Sequence, residues 1–185
     1  MKYLFGKTFS CACLSISLFI LVSTSSCRSH KEFSKTETDN KIPNSRSVQE
    51  KYSQILNVDK AKIENIKLYS FIDDWYGVPY KYGGKTKSGI DCSNFSTTLY
   101  NTVYNKTLSG TSSSIFEKCD VVSKKNLEEG DLLFFKIDGD NISHIGVYLQ
   151  NNKFVHSTTK KGVMIDDLEV DYYKKYFYKA GRISK

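Results

Sequence analysis

The chain has 185 residues, 14% of them aromatic and 25% charged, enough for one domain with a real core and short accessory segments. Its formal charge of +7 falls to +5 once Lys2 and Lys7 are set aside, and the remaining lysines are interspersed with acidic residues. No arginine-rich block with interleaved aromatics occurs, so the charge describes a solvated surface with mild attraction for anionic polymers, and nucleic acid is not an expected partner.

Lys2 and Lys7 precede "CLSISLFILVS", an apolar run too short for a membrane span and suited to a secretory signal. It ends in Thr24-Ser25-Ser26-Cys27, which resembles a bacterial lipobox with Thr24 in place of the usual leucine. On that reading residues 1–27 are a signal and Cys27 becomes the lipidated first residue. An ordinary signal cleaved near Ser26 is the other reading. Residues 28–46 are polar, charged and turn-forming, the composition of a flexible tether. The folded domain is then expected over 47–185.

Within it, "SVQEKYSQILNV" spaces Val48, Tyr52, Ile55 and Leu56 as a helix, with Ser47 as cap and Glu50 three residues on. "IENIKLYSFIDDWYG" predicts a second helix stopping at Gly77, and "VPYKYGGKTKSGI" a loop or extended segment. A third helix should start beside Cys92 and bury Phe95, Leu99 and Val103 along one face. From there the period shortens. "DLLFFKI", "HIGVYLQ", "KFVHSTT", "GVMI" and "YKAGRIS" read as strands separated by turns such as "DGDN" and "QNNK". Helices followed by a run of strands argue an α+β fold, the helices packed on a mostly antiparallel sheet. "IDGDNIS" also resembles a fragment of a calcium loop, although it lacks the rest of that pattern and suits a hairpin turn.

The chemistry concentrates on few residues. Cys92 lies at a predicted helix N-terminus, where unpaired N–H groups and the helix dipole favour a thiolate. Of three histidines, His144 and His156 fall on neighbouring predicted strands joined by "QNNK", which can bring the imidazoles side by side. A thiol, an imidazole to take its proton and a second group to orient that imidazole form the arrangement of a cysteine hydrolase. Two other readings stay open on these residues: a disulfide between Cys92 and Cys119, and zinc held by Cys92, His144, His156 and Asp91. The second lacks the close ligand pairing of known zinc motifs.

The blocks "DDWYGVPYKYGGKTKSGIDCSNF", "LEEGDLLFF", "ISHIGVYLQNNKFVHST" and "AGRIS" resemble, in order and spacing, those of the NlpC family of bacterial cell-wall cysteine peptidases, lipoprotein murein endopeptidases among them. The resemblance covers about residues 65–184. It implies a papain-like fold with Cys92 as nucleophile, His144 as general base, His156 as the orienting residue, and Tyr80 holding the oxyanion or substrate. It further implies hydrolysis of amide bonds in peptidoglycan stem peptides or their cross-links, in cell-wall remodelling and without a cofactor. The expected setting is a monomer, exported and lipid-anchored through Cys27 to a bacterial membrane, facing the wall. Departures from the family pattern are Asn94 for a glycine after Asp-Cys-Ser, Leu108-Ser109-Gly110-Thr111 for Leu-Pro-Arg-Ser, Phe116 near a usual glutamine and Cys119 near a usual glycine. They leave two alternatives: a wall-binding lipoprotein with impaired catalysis, or another thiol-dependent acyl transfer such as amidase chemistry.

Overall fold

The computed structural model describes residues 45–184; the signal, the tether to residue 44 and Cys27 lie outside the described residues. Helix α1 spans Ser45–Leu56 and buries Val48, Tyr52 and Leu56. It begins two residues ahead of Ser47, which therefore lies inside the helix and is not its cap. A single 3-10 turn follows, then α2 (Ile66–Trp75), opened by Asn65, whose side chain accepts from the Leu68 N–H. That cap satisfies one of the N–H groups every helix start leaves open. The predicted loop before Cys92 contains a short antiparallel ladder, β1 (Lys85–Thr86) with β2 (Gly89–Ile90).

Helix α3 (Cys92–Val103) buries Phe95 and Leu99 fully and Val103 nearly so. Its apolar face packs on the sheet, against β5 (His144–Tyr148) and β6 (Lys153–Thr158), while α2 packs alongside it. The remaining elements are α4 (Ser112–Phe116), β3 (Asp120–Val122), β4 (Leu132–Phe135), β7 (Gly162–Asp167), α5 (Asp171–Tyr176) and β8 (Phe177–Arg182). The strands form one six-stranded antiparallel sheet in the order β3-β8-β4-β5-β6-β7. This is the mixed helix and antiparallel-sheet architecture the sequence predicts, with β3, α4 and α5 added.

Both faces of the central strands are covered, which explains why "LLFF" reads as a continuous apolar run. Leu132, Phe134, Ile145, Val147 and Val155 face the main core under α1–α3, and Leu133, Phe135, Tyr148 and Phe154 form a second cluster closed by Tyr173, Tyr176 and Phe177. The β5–β6 turn is tight because Asn151 (φ 49°) and Asn152 (φ 60°) both take left-handed backbone, the two-residue geometry matched to strand twist. "IDGDNIS" forms the β4–β5 connection, where Ser143 Oγ accepts from the N–H groups of Ile137 and Asp138.

Two glycines are required by close approach. A Cβ on Gly146, between His144 and Tyr148, would lie 2.7 Å from Phe154 Cδ2; its absence lets that ring pack beneath the histidines. Gly162 has φ +70°, and a Cβ there would fall 2.1 Å from the Val78 carbonyl oxygen. The contact seats β7 against residues 77–79, reinforced by Gly77 N–H donating to Val163 O (2.8 Å) and Val163 N–H to Val78 O (2.9 Å).

Candidate active site

Cys92 is the first residue of α3 because Asp91 caps that helix. One Asp91 carboxylate oxygen accepts from the Asn94 N–H (2.7 Å) and Ser93 Oγ (2.9 Å), the other from the Gly83 N–H (2.9 Å) and Asn94 Nδ2 (2.8 Å). Only 7% of Asp91 is exposed, so these bonds stand in for water around the charge. They also tie the 80–84 loop to the helix start. Tyr80 forms a parallel bridge with Ile90, flanked by Ile90 N–H donating to Pro79 O (3.0 Å) and Lys81 N–H to Ile90 O (3.4 Å). The Tyr80 backbone is thereby held against Ile90, two residues before Cys92.

The opposite wall is built by strand register. Pairing of Val147 with Val155 and of Tyr148 with Phe154 brings His144 and His156 together, and His144 Nε2 lies 2.7 Å from His156 Nδ1. Ser157 Oγ donates to Ile90 O (2.8 Å), so the residue after His156 is bonded directly to the backbone that leads into Cys92. Cys92, Tyr80, His144 and His156 all line one cavity of about 470 Å³.

Two residues not singled out from the sequence extend this line. His156 Nε2 is 3.0 Å from Asp166 Oδ2, and Tyr173 Oη donates to the same oxygen at 2.6 Å. Register was the available signal: His156 pairs with Met164, and the period of two puts Asp166 on the same face one diagonal step away. Strand β7 runs two residues past "GVMI", to Asp167, and so includes it.

Burial dominates the electrostatics. Desolvation pushes the Cys92 thiol up to about 11, against the lowering effect of backbone N–H groups at Ile145, Ser93 and Cys92 itself. The helix start alone does not produce a thiolate here. His144 is pushed down to about 3 by desolvation and the adjacent His156, with Asp166 opposing. Desolvation likewise lowers His156, opposed by its bond to Asp166. Desolvation would raise Asp166, yet the bonds from His156 and Tyr173 and the charge of Lys161 together hold it below the usual carboxylate range. The resting site is therefore a neutral thiol facing a neutral imidazole pair backed by an ionised carboxylate.

The departures from the family pattern lie outside the cavity lining. Asn94 turns back onto Asp91, and neither it nor any of Leu108–Thr111 lines the cavity. Thr111 caps α4, and Phe116 packs edge-on against Phe134 and Tyr178. Cys92 and Cys119 are both free, and Cys119 bonds to the Ile115 carbonyl, so the disulfide reading is not realised. Among the described residues no three His, Cys, Asp or Glu side chains converge as a metal-binding set.

Comparison with known proteins gives a consistent answer. A profile of the NlpC/P60 family matches residues 77–182. Probable endopeptidase NlpC of Escherichia coli K12 is 38% identical over 113 residues, covering 60% of this chain and 73% of that protein. Murein DD-endopeptidase MepS/Murein LD-carboxypeptidase of the same organism is 31% identical over 169 residues, covering 91% and 89%. An NlpC/P60 family protein from Bacillus cereus superposes with a TM-score of 0.59 at 28% identity, over 63% of this chain and 39% of that one. By its sequence blocks, its sheet and the matched profile, this chain belongs to the NlpC/P60 family.

Proposed function

We propose that the chain is a cysteine endopeptidase that hydrolyses amide bonds in peptidoglycan stem peptides or their cross-links, acting in cell-wall remodelling. The observation that carries this reading is the convergence on one cavity of a helix-start thiol, an imidazole with one nitrogen already engaged by a second imidazole, and a tyrosine. The relatives named murein DD-endopeptidase and endopeptidase supply the substrate class.

The chemistry follows from the protonation states. His156 occupies His144 Nε2, which leaves His144 Nδ1 for the Cys92 proton. Because the resting pair is neutral, the proton leaves sulfur as the sulfur attacks the amide carbonyl, with His144 as general base. The oxyanion is met by the Cys92 N–H at the open end of α3 and by the Tyr80 hydroxyl. His144 then returns the proton to the departing amine, and the C–N bond breaks to leave a thioester. Water, deprotonated by His144 Nδ1, hydrolyses the thioester and regenerates the thiol.

The mouth suits a zwitterionic peptide. Lys160 and Lys161 line the side reached by the β6–β7 turn, and Asp138 lies on the β4–β5 connection. A lipid on Cys27, linked through residues 28–46, would hold the domain at a bacterial membrane facing its insoluble substrate. The test is mass spectrometry of peptidoglycan fragments after incubation with the full chain, beside a Cys92→Ala control. New termini within or between stems, absent from the control, are expected. Unchanged fragments with folded, reduced protein would overturn the reading in favour of wall binding without turnover.

A further inference from the structure

The line of side chains does not stop at His156, and its far end decides where the protons sit. An ionised carboxylate has no proton to give, so at 3.0 Å from Asp166 Oδ2 it is His156 Nε2 that carries hydrogen. A neutral His156 with its proton on Nε2 has a bare Nδ1. That bare Nδ1, 2.7 Å from His144 Nε2, accepts and cannot donate, which places the His144 proton on Nε2. A neutral His144 with its proton on Nε2 has a bare Nδ1, the nitrogen left for Cys92. We propose that Asp166, held by Tyr173, is a positioning residue that fixes both imidazole tautomers so that His144 presents an unprotonated nitrogen to the thiol.

Without the carboxylate the same two rings have a second arrangement of equal hydrogen-bond count. His156 would carry its proton on Nδ1 and donate to His144 Nε2, and the His144 proton would then lie on Nδ1, where the base must be empty. Removing Asp166 therefore costs catalytic competence by populating the wrong tautomer, even with every ring in place. When His144 takes the Cys92 proton it becomes an imidazolium with hydrogen on both nitrogens. His156 keeps its own proton throughout, and the Asp166 charge stabilises the cation through two hydrogen bonds with no further transfer.

The surroundings make the carboxylate's charge effective. His156 is 1% exposed, with the Phe154 ring centroid 4.6 Å away and Tyr173 packed at right angles to Phe154 at 5.0 Å. Water is kept from the ring–ring bond, so little screens Asp166 along the line. The titratable groups facing it are His156 from β6, Tyr173 from α5 and Lys161 from the β6–β7 turn, with His144 beyond from β5. Tyr173 Oη donates to Oδ2 itself, the oxygen shared with His156, and so aims that atom at the ring.

This inference deepens the proposed peptidase reading and rests on it, but its primary readout is independent of turnover. With only three histidines in the sequence, long-range ¹H–¹⁵N correlation spectra of the ¹⁵N-histidine-labelled full chain report each tautomer, assigned with single-histidine variants. The wild type should show both His144 and His156 protonated on Nε2 and bare on Nδ1. In Asp166→Ala the two rings should lose that pure state, and kcat/KM on peptidoglycan fragments should fall by up to roughly 10⁴-fold, as in a triad whose orienting carboxylate is lost and whose base takes the wrong tautomer. Asp166→Asn keeps the shape but offers His156 Nε2 an amide that donates as well as accepts, so the tautomers should shift as in Asp166→Ala and activity should not be restored.

Wild-type His144 protonated on Nδ1 would overturn the proposal without any variant, including when Asp166→Ala does not fold. Unaltered tautomers in Asp166→Ala would overturn it as well, whether or not activity falls. Absence of hydrolysis by the wild type, with the tautomers as stated, would sink the peptidase reading while leaving the positioning role standing.

Discussion

The two walls of the cavity reach their geometry by different routes. On the nucleophile wall, Asp91, Cys92 and Asn94 lie within one helical turn, and the interactions that place the thiol are a capped helix start and a bridge to Tyr80. On the base wall, His144, His156 and Asp166 come from three strands aligned by hairpin register, and Tyr173 is brought to them by the packing of α5. The first wall is specified locally and the second by topology. A local device tolerates changes elsewhere in the fold, whereas a one-residue slip in β5–β6 would put the two imidazoles on opposite faces of the sheet.

The sharpest break of this comparison is to remove one member from each wall. Cys92→Ala and His144→Ala should each lower kcat/KM on peptidoglycan fragments by roughly 10⁴-fold or more, since thiol and base act in one step. The double variant should be no worse than the worse single one. Additive losses in single-turnover kinetics would mean that the two walls work separately.

Acid should weaken the base wall before the nucleophile wall. In the unfolded chain both imidazoles take up protons below about pH 6.5, whereas in the folded chain His144 stays neutral to about 3 and His156 is also lowered. The unfolded state thus binds more protons as pH falls through this window, and stability declines. Each histidine contributes up to about 1.4 kcal/mol per pH unit. Asp166, held below its usual range, adds a loss of the same sign once pH drops through the ordinary carboxylate range. Urea unfolding from pH 7 to pH 4 should show this slope, and His144→Gln should flatten it. Activity should keep a broad plateau, because the neutral imidazole and neutral thiol persist across the range between their shifted values.

The same division explains what could be read from the sequence. Cys92, its helix and the apolar face of Phe95, Leu99 and Val103 were legible because each depends on neighbours within a few positions. The histidine pair was legible because "QNNK" announces a two-residue turn and so fixes which residues oppose one another. Asp166 was not, since the acidic pair ending "GVMIDD" reads equally well as the turn after a strand. Tyr173 was hidden in α5, a six-residue helix with no side-chain cap whose place depends on packing against Phe135 and Phe154. Strand β3 has only three residues, two of them exposed, and exists through pairing with β8 some sixty positions later.

A local device should also fail locally. Asp91→Ala removes the α3 cap and the acceptor of the exposed Gly83 N–H, so a loss of about 1–2 kcal/mol in urea unfolding is expected. The histidine tautomers, read by nitrogen NMR, should not move. A shift in them would mean that the nucleophile wall supports the base wall.

The smallest change sharpens the point. Asn94→Gly restores the residue usual in the family after Asp-Cys-Ser, and the outcome depends on what Asn94 does here. Its side chain donates to Asp91 Oδ2 (2.8 Å) and stays out of the cavity lining, while its backbone position is the third of α3. Losing one hydrogen bond and gaining the helix penalty of glycine should lower stability by about 1–2 kcal/mol. Because Asp91 keeps its bonds from the backbone N–H groups of Gly83 and residue 94, Cys92 should hold its place, and kcat and KM should each change less than about twofold. A raised KM with unchanged stability would instead make Asn94 a substrate contact, reached only when a peptide fills the cavity.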